Sequence, residues 1–257
     1  MEYRQQLPVS TPAIDVMTSH HSVRRYADEP ISEDHLLAIL ASASSAATSS
    51  NQNSWSVIVV RDRDLKHDLM EATGKNPFIA QAPVFLVWVA DLSRAHRLAE
   101  KKHAVVDALQ YQEALLVGTI DATLAAQNAV VAAESFGMGT CYVGGIRTNI
   151  EKVCGLLNLP EYSYPVVGLA LGWPADQAGV KPRLPLSSVA FNETYDVAAA
   201  DAGIEELDRT TAEYFESQGF PGVVWSQKAL QRWAGPEVMN GREKNREVIA
   251  RRGLLDL

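Results

Sequence analysis

Four short segments carry the side chains with most capacity for chemistry: His20-His21-Ser22-Val23-Arg24-Arg25, Ser49-Ser50-Asn51-Gln52-Asn53, Tyr142-Val143-Gly144-Gly145 and Lys181-Pro182-Arg183. Two are basic, one is rich in hydroxyls and amides, and one offers backbone unobstructed by side chains. The formal net charge of the chain is −8, so an anionic ligand is repelled by the protein as a whole and must be met by a local cluster of positive groups. Each segment also has an ordinary structural reading: a solvated helix end, a turn after a strand, or surface charge. The familiar catalytic signatures are missing, with no GxGxxG or P-loop, no HExxH and no GxSxG. The two cysteines, Cys141 and Cys154, have neither CxxC nor Cys/His spacing, which leaves them as buried, reduced structural thiols.

The elements that must position these segments can be read from apolar patterning. Hydrophobic residues make up 47% of the 257 positions and charged ones 21%, ordinary proportions that exclude a fibrous or natively unfolded chain. The acidic balance argues against nucleic acid as a partner. Ser32 precedes Leu36, Leu37, Ile39 and Leu40 on one helical face, which predicts a helix over about 33–46, separated by Pro30 from a shorter N-terminal helix. Trp55 to Val60, Val84 to Ala90 and Pro165 to Trp173 read as buried strands, with a short strand at Cys141 to Val143. A long, nearly all-round apolar helix is expected over about 104–136, ended by Gly137, and must be enclosed on most sides. Its window from Ala114 to Ala133 is long enough to cross a bilayer. Thr119, Thr123, Gln127 and Asn128, beside the single charge of Asp121, favour burial in protein instead. Thr148 to Glu151 reads as a capping box opening a helix to about Leu157. Strands and helices mix without strict alternation, so the class is α+β in a single domain over 1–257, with a C-terminal excursion from about 200 to 257. The N-terminal stretch MEYRQQLPVSTPAI has no apolar run of the secretory kind, which leaves a cytoplasmic location as the expectation.

Taken together and in this order, the segments resemble the nitroreductase superfamily, in the branch of oxygen-insensitive NADPH nitroreductases and NADPH-flavin oxidoreductases. The resemblance is carried by HHSVRRYADEPIS (20–32), DATLAAQNAVVAAESFGMG (121–139), YVGGIRTNIEKV (142–153) and LGWPADQAGVKPRLP (171–185). It implies a nitroreductase-like fold, a central, mainly antiparallel sheet flanked by helices with a long buried central helix, in a homodimer with FMN sites at the subunit interface. It assigns the FMN phosphate and ribityl chain to His20, His21, Ser22, Val23, Arg24, Lys181 and Arg183, where arginine forks and a lysine point charge hold a dianion. It lays Tyr142, Val143, Gly144 and Gly145 beside the isoalloxazine ring, since glycine lets backbone approach a flat surface. Ser49, Ser50, Asn51 and Asn53 would come from the partner subunit, and Asn76 would place an amide near the reactive edge of the ring.

The activity so implied is ping-pong hydride transfer from NADPH or NADH, through FMN, to a nitroaromatic, a quinone, free flavin or another small aromatic acceptor. The flavin carries the chemistry, so no acid–base dyad is required. Arg24, Lys181 and Arg183 are the charges available to stabilise the reduced ring. Three positions depart from the relatives: His21 stands where arginine is common, Asn53 where glutamine is common, and AEYFESQGFPGVV (212–224) holds no basic residue where NADPH-selective relatives carry arginines. Lys228 and Arg232 are the nearest replacements. A flavin-binding carrier or sensor with little turnover is the alternative reading.

Overall fold

The computed structural model describes residues 7–176 and 178–255. Residues 1–6 of the N-terminal stretch, Gln177 and the last two residues of the C-terminal excursion lie outside them. The chain divides into a larger compact unit, 22–178 with 240–257, and a smaller one, 1–21 with 179–239.

After helix α1 (Pro12–Thr18) of the smaller unit, the larger unit holds α2 (Glu33–Ser44), α3 (Arg63–Ala72), α4 (Phe78–Gln81), α5 (Ser93–Lys102), α6 (Gln112–Ser135) and α7 (Ile150–Leu156). Strands β1 (Trp55–Val60), β2 (Val84–Asp91), β3 (Gly139–Val143) and β4 (Ser163–Gly172) form one sheet in the order β1-β2-β4-β3, every neighbour antiparallel. Alternate residues of a strand face opposite sides. Leu86 and Trp88 of β2 therefore join Leu169 and Leu171 of β4 under α2 and α6, where Ile39, Ala125, Ala126 and Ala129 meet them. Phe85, Val87 and Val89 point the other way, into a core with Leu69 of α3, Ile79 of α4 and Val153 of α7. Helices on both faces explain why these strands read as unbroken apolar runs.

The sheet and the extent of the first long helix match the sequence reading, but Leu37, expected on the apolar face of α2, is 68% exposed, since the buried stripe runs through Leu36, Ile39 and Ala43; the central helix differs at its start. The helix expected from about 104 begins at Gln112, because His103 takes a left-handed conformation (φ 52°) that ends α5, and Tyr111 is extended. Val105 and Val106, counted in the apolar pattern, belong to the intervening segment, where Val105 is exposed. By length and composition α6 could cross a membrane, but Gly118, Asp121, Ala122, Ala125, Ala126 and Ala129 face the interior of the unit. Leu116, Ile120 and Leu124, on its opposite side, remain exposed. The cap before α7 is also shifted. Thr148 is already helical in backbone, and Asn149 accepts the Lys152 N–H with its side chain at 3.1 Å.

In the smaller unit, Asp196 caps α8 (Val197–Ala202), and α9 (Ile204–Ser217) buries Leu207, Thr211 and Tyr214. Asp208 fastens α10 (Trp225–Arg232) to α9 by accepting from the Ser226 N–H at 2.7 Å and its hydroxyl at 2.5 Å, bonds that hold its carboxyl below the usual range. The excursion does not end in this unit. Helix α11 (Asn245–Arg251) returns to the larger one, where Val248, Ile249 and Leu254 pack with Ile150 and Tyr164, and the Arg252 guanidinium donates to the Ser163 and Leu159 carbonyls. Both cysteines are buried and outside any disulfide among the described residues, and burial pushes the Cys154 thiol up.

Candidate active site

At the β3 edge of the larger unit, the segment after His21 runs beside the strand. Ser22 bridges Thr140, and the Val23 N–H donates to the Thr140 carbonyl at 2.9 Å. Gly139 permits this approach, since a Cβ there would lie 2.5 Å from the Val23 side chain. Tyr26 locks the strap by donating from its hydroxyl to the Val23 carbonyl at 2.8 Å, and burial drives that phenol far above its ordinary pKa. Arg24 is left pointing out. Its guanidinium lies 5.9 Å from the centroid of Phe78 and has no carboxylate partner among the described residues. Arg25, by contrast, pairs with Asp176 at 3.5 Å.

Tyr142 and Val143 end β3, and Gly144 and Gly145 open a turn through Arg147. The Tyr142 hydroxyl donates to Gln127 of α6 at 3.4 Å; burial, then the Glu134 carboxylate, raises its pKa. Gly145 presses on the α3–α4 connection: a Cβ at this position would lie 2.3 Å from the Thr73 carbonyl oxygen and 3.6 Å from the Asn76 amide nitrogen. The Asn76 amide itself donates to Thr73 at 3.4 Å. Gly144 is open, a Cβ there meeting only the end of the Arg147 side chain at 3.4 Å. Asn76, Gly144 and Gly145, far apart in sequence, are thus brought together. Arg147 joins them through its side-chain end near Gly144 and is held by the Val166 carbonyl, while Phe78, two residues after Asn76, lies under Arg24; the sequence reading singled out neither.

Ser49, Ser50, Asn51 and Asn53 stand elsewhere. They form an exposed turn leading into β1, with Ser50, Asn51 and Asn53 at φ 47°, 55° and 52°. Because β1 and β3 are the two edges of the sheet, three strand spacings of about 4.8 Å separate them. One chain does not bring this turn to the Gly144 turn.

In the smaller unit, the His21 Nδ1 lies 3.1 Å from the Ser19 carbonyl. The Arg183 guanidinium donates to the carbonyls of Lys181 and Pro182 at 3.0 and 3.1 Å, and Tyr214 holds the segment before them through the Gly179 carbonyl at 3.2 Å. His20, half-buried, and Lys181, exposed, complete the basic set. Around the turn after α9, Lys228 stacks its ammonium 4.2 Å over Phe215, Arg232 lies over Trp233, and Arg209 is taken up by Glu206 and Glu213.

Known proteins resemble this chain in sequence and fold. The Nitroreductase family model matches residues 17–173, and that of the Nitroreductase family, C-terminal domain, matches 181–256. The chain belongs to the nitroreductase family. An oxygen-insensitive NADPH nitroreductase of Salmonella typhimurium is 38% identical over 209 residues, covering 81% of this chain and 85% of the relative. An FMN reductase [NAD(P)H] of Bacillus subtilis is 38% identical over 218 residues, covering 83% and 88%. Among solved structures of the family, NfrA2 of B. megaterium superposes with a TM-score of 0.91 at 36% identity, over 96% of this chain and all of that one. The branch is the one that the four sequence blocks resemble.

Proposed function

We propose that the protein is an FMN-dependent reductase that takes hydride from NADPH or NADH and passes it to a nitroaromatic, a quinone or free flavin. The observation that carries this is Arg24, an exposed arginine with no acidic partner among the described residues, whose guanidinium stands 5.9 Å from the centroid of the Phe78 ring. The residues fit the cofactor. A phosphate dianion suits an unpaired guanidinium in an otherwise acidic chain, and a flat ring suits a glycine with only one flexible neighbour within reach.

When bound, FMN supplies the two-electron chemistry. In the larger unit Ser22, Val23 and Arg24 would orient its phosphate end, Tyr142 to Gly145 would support the ring, and the Asn76 amide would lie at its edge. From the smaller unit, the sequence motifs assign His20, His21, Lys181 and Arg183 to the same anion. Ser49, Ser50, Asn51 and Asn53 would reach the ring only from a second copy, so the functional unit is a homodimer. Reduced, buried cysteines suit a cytoplasmic setting. A carrier without turnover is less well supported, since the relatives are named as reductases.

The test is the visible spectrum of the purified protein followed by anaerobic titration. A yellow protein that either nicotinamide bleaches rapidly is expected; a colourless protein that FMN does not reconstitute would end the proposal. Donor choice is a second expectation. The 212–224 segment has no cation, Lys228 and Arg232 rest on aromatic rings, and Arg209 is neutralised by two glutamates. Without a free fork for a 2′-phosphate, the ratio of kcat/KM for NADPH over NADH should stay below about a hundredfold, or about 2.7 kcal/mol. A larger preference measured in steady state would show that another residue grips that phosphate.

A further inference from the structure

Asp121 is the one acidic residue on the apolar face of α6, and it is 1% exposed. A buried carboxylate is costly unless its oxygens are satisfied, and here they are satisfied by a single loop. One oxygen accepts the Thr48 hydroxyl at 2.6 Å and the Ser54 N–H at 3.1 Å; the other accepts the Ser49 N–H at 2.9 Å. The Thr48 hydroxyl in turn accepts the Asn53 N–H at 2.8 Å. The carboxylate and its threonine relay therefore hold both ends of the turn whose Ser50, Asn51 and Asn53 are left-handed (φ 47°, 55° and 52°).

Two further contacts bear on the same segment. Gly118, one turn earlier on α6, lets the helix approach so closely that a Cβ would lie 3.3 Å from the Ser54 carbonyl oxygen and 3.0 Å from the Ala90 Cβ. From outside, the Arg94 guanidinium of α5 donates to the carbonyls of Asn53 at 2.8 Å and Trp55 at 2.9 Å and to the Ser56 hydroxyl at 2.6 Å. Left-handed backbone is unfavourable for serine and adopted by asparagine only in single residues, so three such residues within four positions persist only where their surroundings over-determine them, most often at functional sites. The exposed tip, Ser49 to Asn51, contributes little to the core, so the clamp is not accounted for by packing.

We propose that Asp121, acting through Thr48, is a positioning residue that fixes the Ser49–Asn53 turn so that its hydroxyl and amide groups meet, already set, the FMN held by a second copy of the chain. This rests on the flavin-reductase reading above. Preorganisation lowers the ordering cost of binding, so the effect belongs to cofactor affinity and not to folding alone.

The experiment uses the holoprotein and three variants. Thr48→Ser keeps the relay, Thr48→Val removes it, and Asp121→Asn leaves one acceptor oxygen to face three donors. FMN dissociation constants are read from the fluorescence of flavin released on dilution, with hydrogen exchange at the Asn53 amide and melting temperature alongside. Thr48→Val and Asp121→Asn are expected to weaken FMN binding about tenfold or more and to speed exchange at Asn53, with Thr48→Ser like the wild type. Combining Thr48→Val with Asp121→Asn should cost less than the sum of the two single effects, since the two side chains share a hydrogen bond. If Asp121→Asn does not fold, Thr48→Val against Thr48→Ser decides alone. Lower melting temperatures with unchanged FMN affinity would overturn the inference by reducing the clamp to a structural role. A wild-type protein that retains no flavin would overturn instead the reading on which it rests.

Discussion

Gly145→Ala is expected to lose flavin and stability together, whereas Gly144→Ala should lose flavin alone. The two glycines are neighbours in one turn, yet their surroundings are opposite. At 145 a methyl group would stand 2.3 Å from the Thr73 carbonyl oxygen, a backbone atom that cannot swing aside. The turn and the α3–α4 connection must part, and overpacking of this kind costs about 1–3 kcal/mol. In a protein of this size that is about 2–4 °C of melting temperature per kcal/mol. The same movement carries Asn76 and the Gly144 backbone out of register, so FMN affinity should fall by about a hundredfold, or about 2.7 kcal/mol.

At 144 the only atom near a new methyl group is the tip of the Arg147 side chain at 3.4 Å, and neither glycine has a positive φ. Alanine there is compatible with the fold and reduces the freedom of the unfolded chain. Any loss must then come from what approaches the backbone from outside, which in the proposed function is the ring. Melting temperatures with and without added FMN, together with flavin retention on gel filtration, separate the cases. A Gly144→Ala protein that keeps its flavin at wild-type affinity would mean that the ring does not rest there.

Much of this arrangement is visible in local sequence, and what is not has a physical reason. Residues 55–60 read as a strand because both faces of β1 and its neighbours meet apolar layers, and the structure bounds that strand at the same residues. The start of α6 is misplaced in the sequence reading because Ala104, Val105 and Val106 prolong an apolar pattern that His103 and Tyr111 interrupt through backbone conformation, which composition does not report. Site chemistry divides the same way. The bare glycines and the arginine of HHSVRR are recognisable by type. The meeting of Gly145 with Thr73 and Asn76 is made by sheet topology and has no local signature. Asp121 is conspicuous as the lone charge in an alanine-rich window, a signal that could have marked it as serving a distant partner, since a solitary buried acid needs donors from elsewhere.

Ile120→Glu is expected to convert a yellow dimer into a colourless, folded monomer. Leu116, Ile120 and Leu124 recur every four residues along α6, and so form one ridge. They are 44%, 54% and 42% exposed in the single chain, while the opposite side of the helix is fully engaged with β2 and α2. A glutamate at 120 therefore meets water in the monomer and leaves the core untouched. In a dimer packed through this ridge it would be an uncompensated buried charge, a penalty of several kcal/mol, in place of an isoleucine whose burial contributes about 1.5–3 kcal/mol. Dissociation should carry the flavin with it, because the Ser49–Asn53 turn and the Gly144 turn occupy opposite edges of the sheet and one chain cannot close them around a ring. Light scattering coupled to gel filtration reads the mass, circular dichroism the fold, and absorbance near the flavin band the cofactor. A variant that stays dimeric and yellow would move the interface off this helix, and one that is monomeric but still yellow would show that a single chain completes the site.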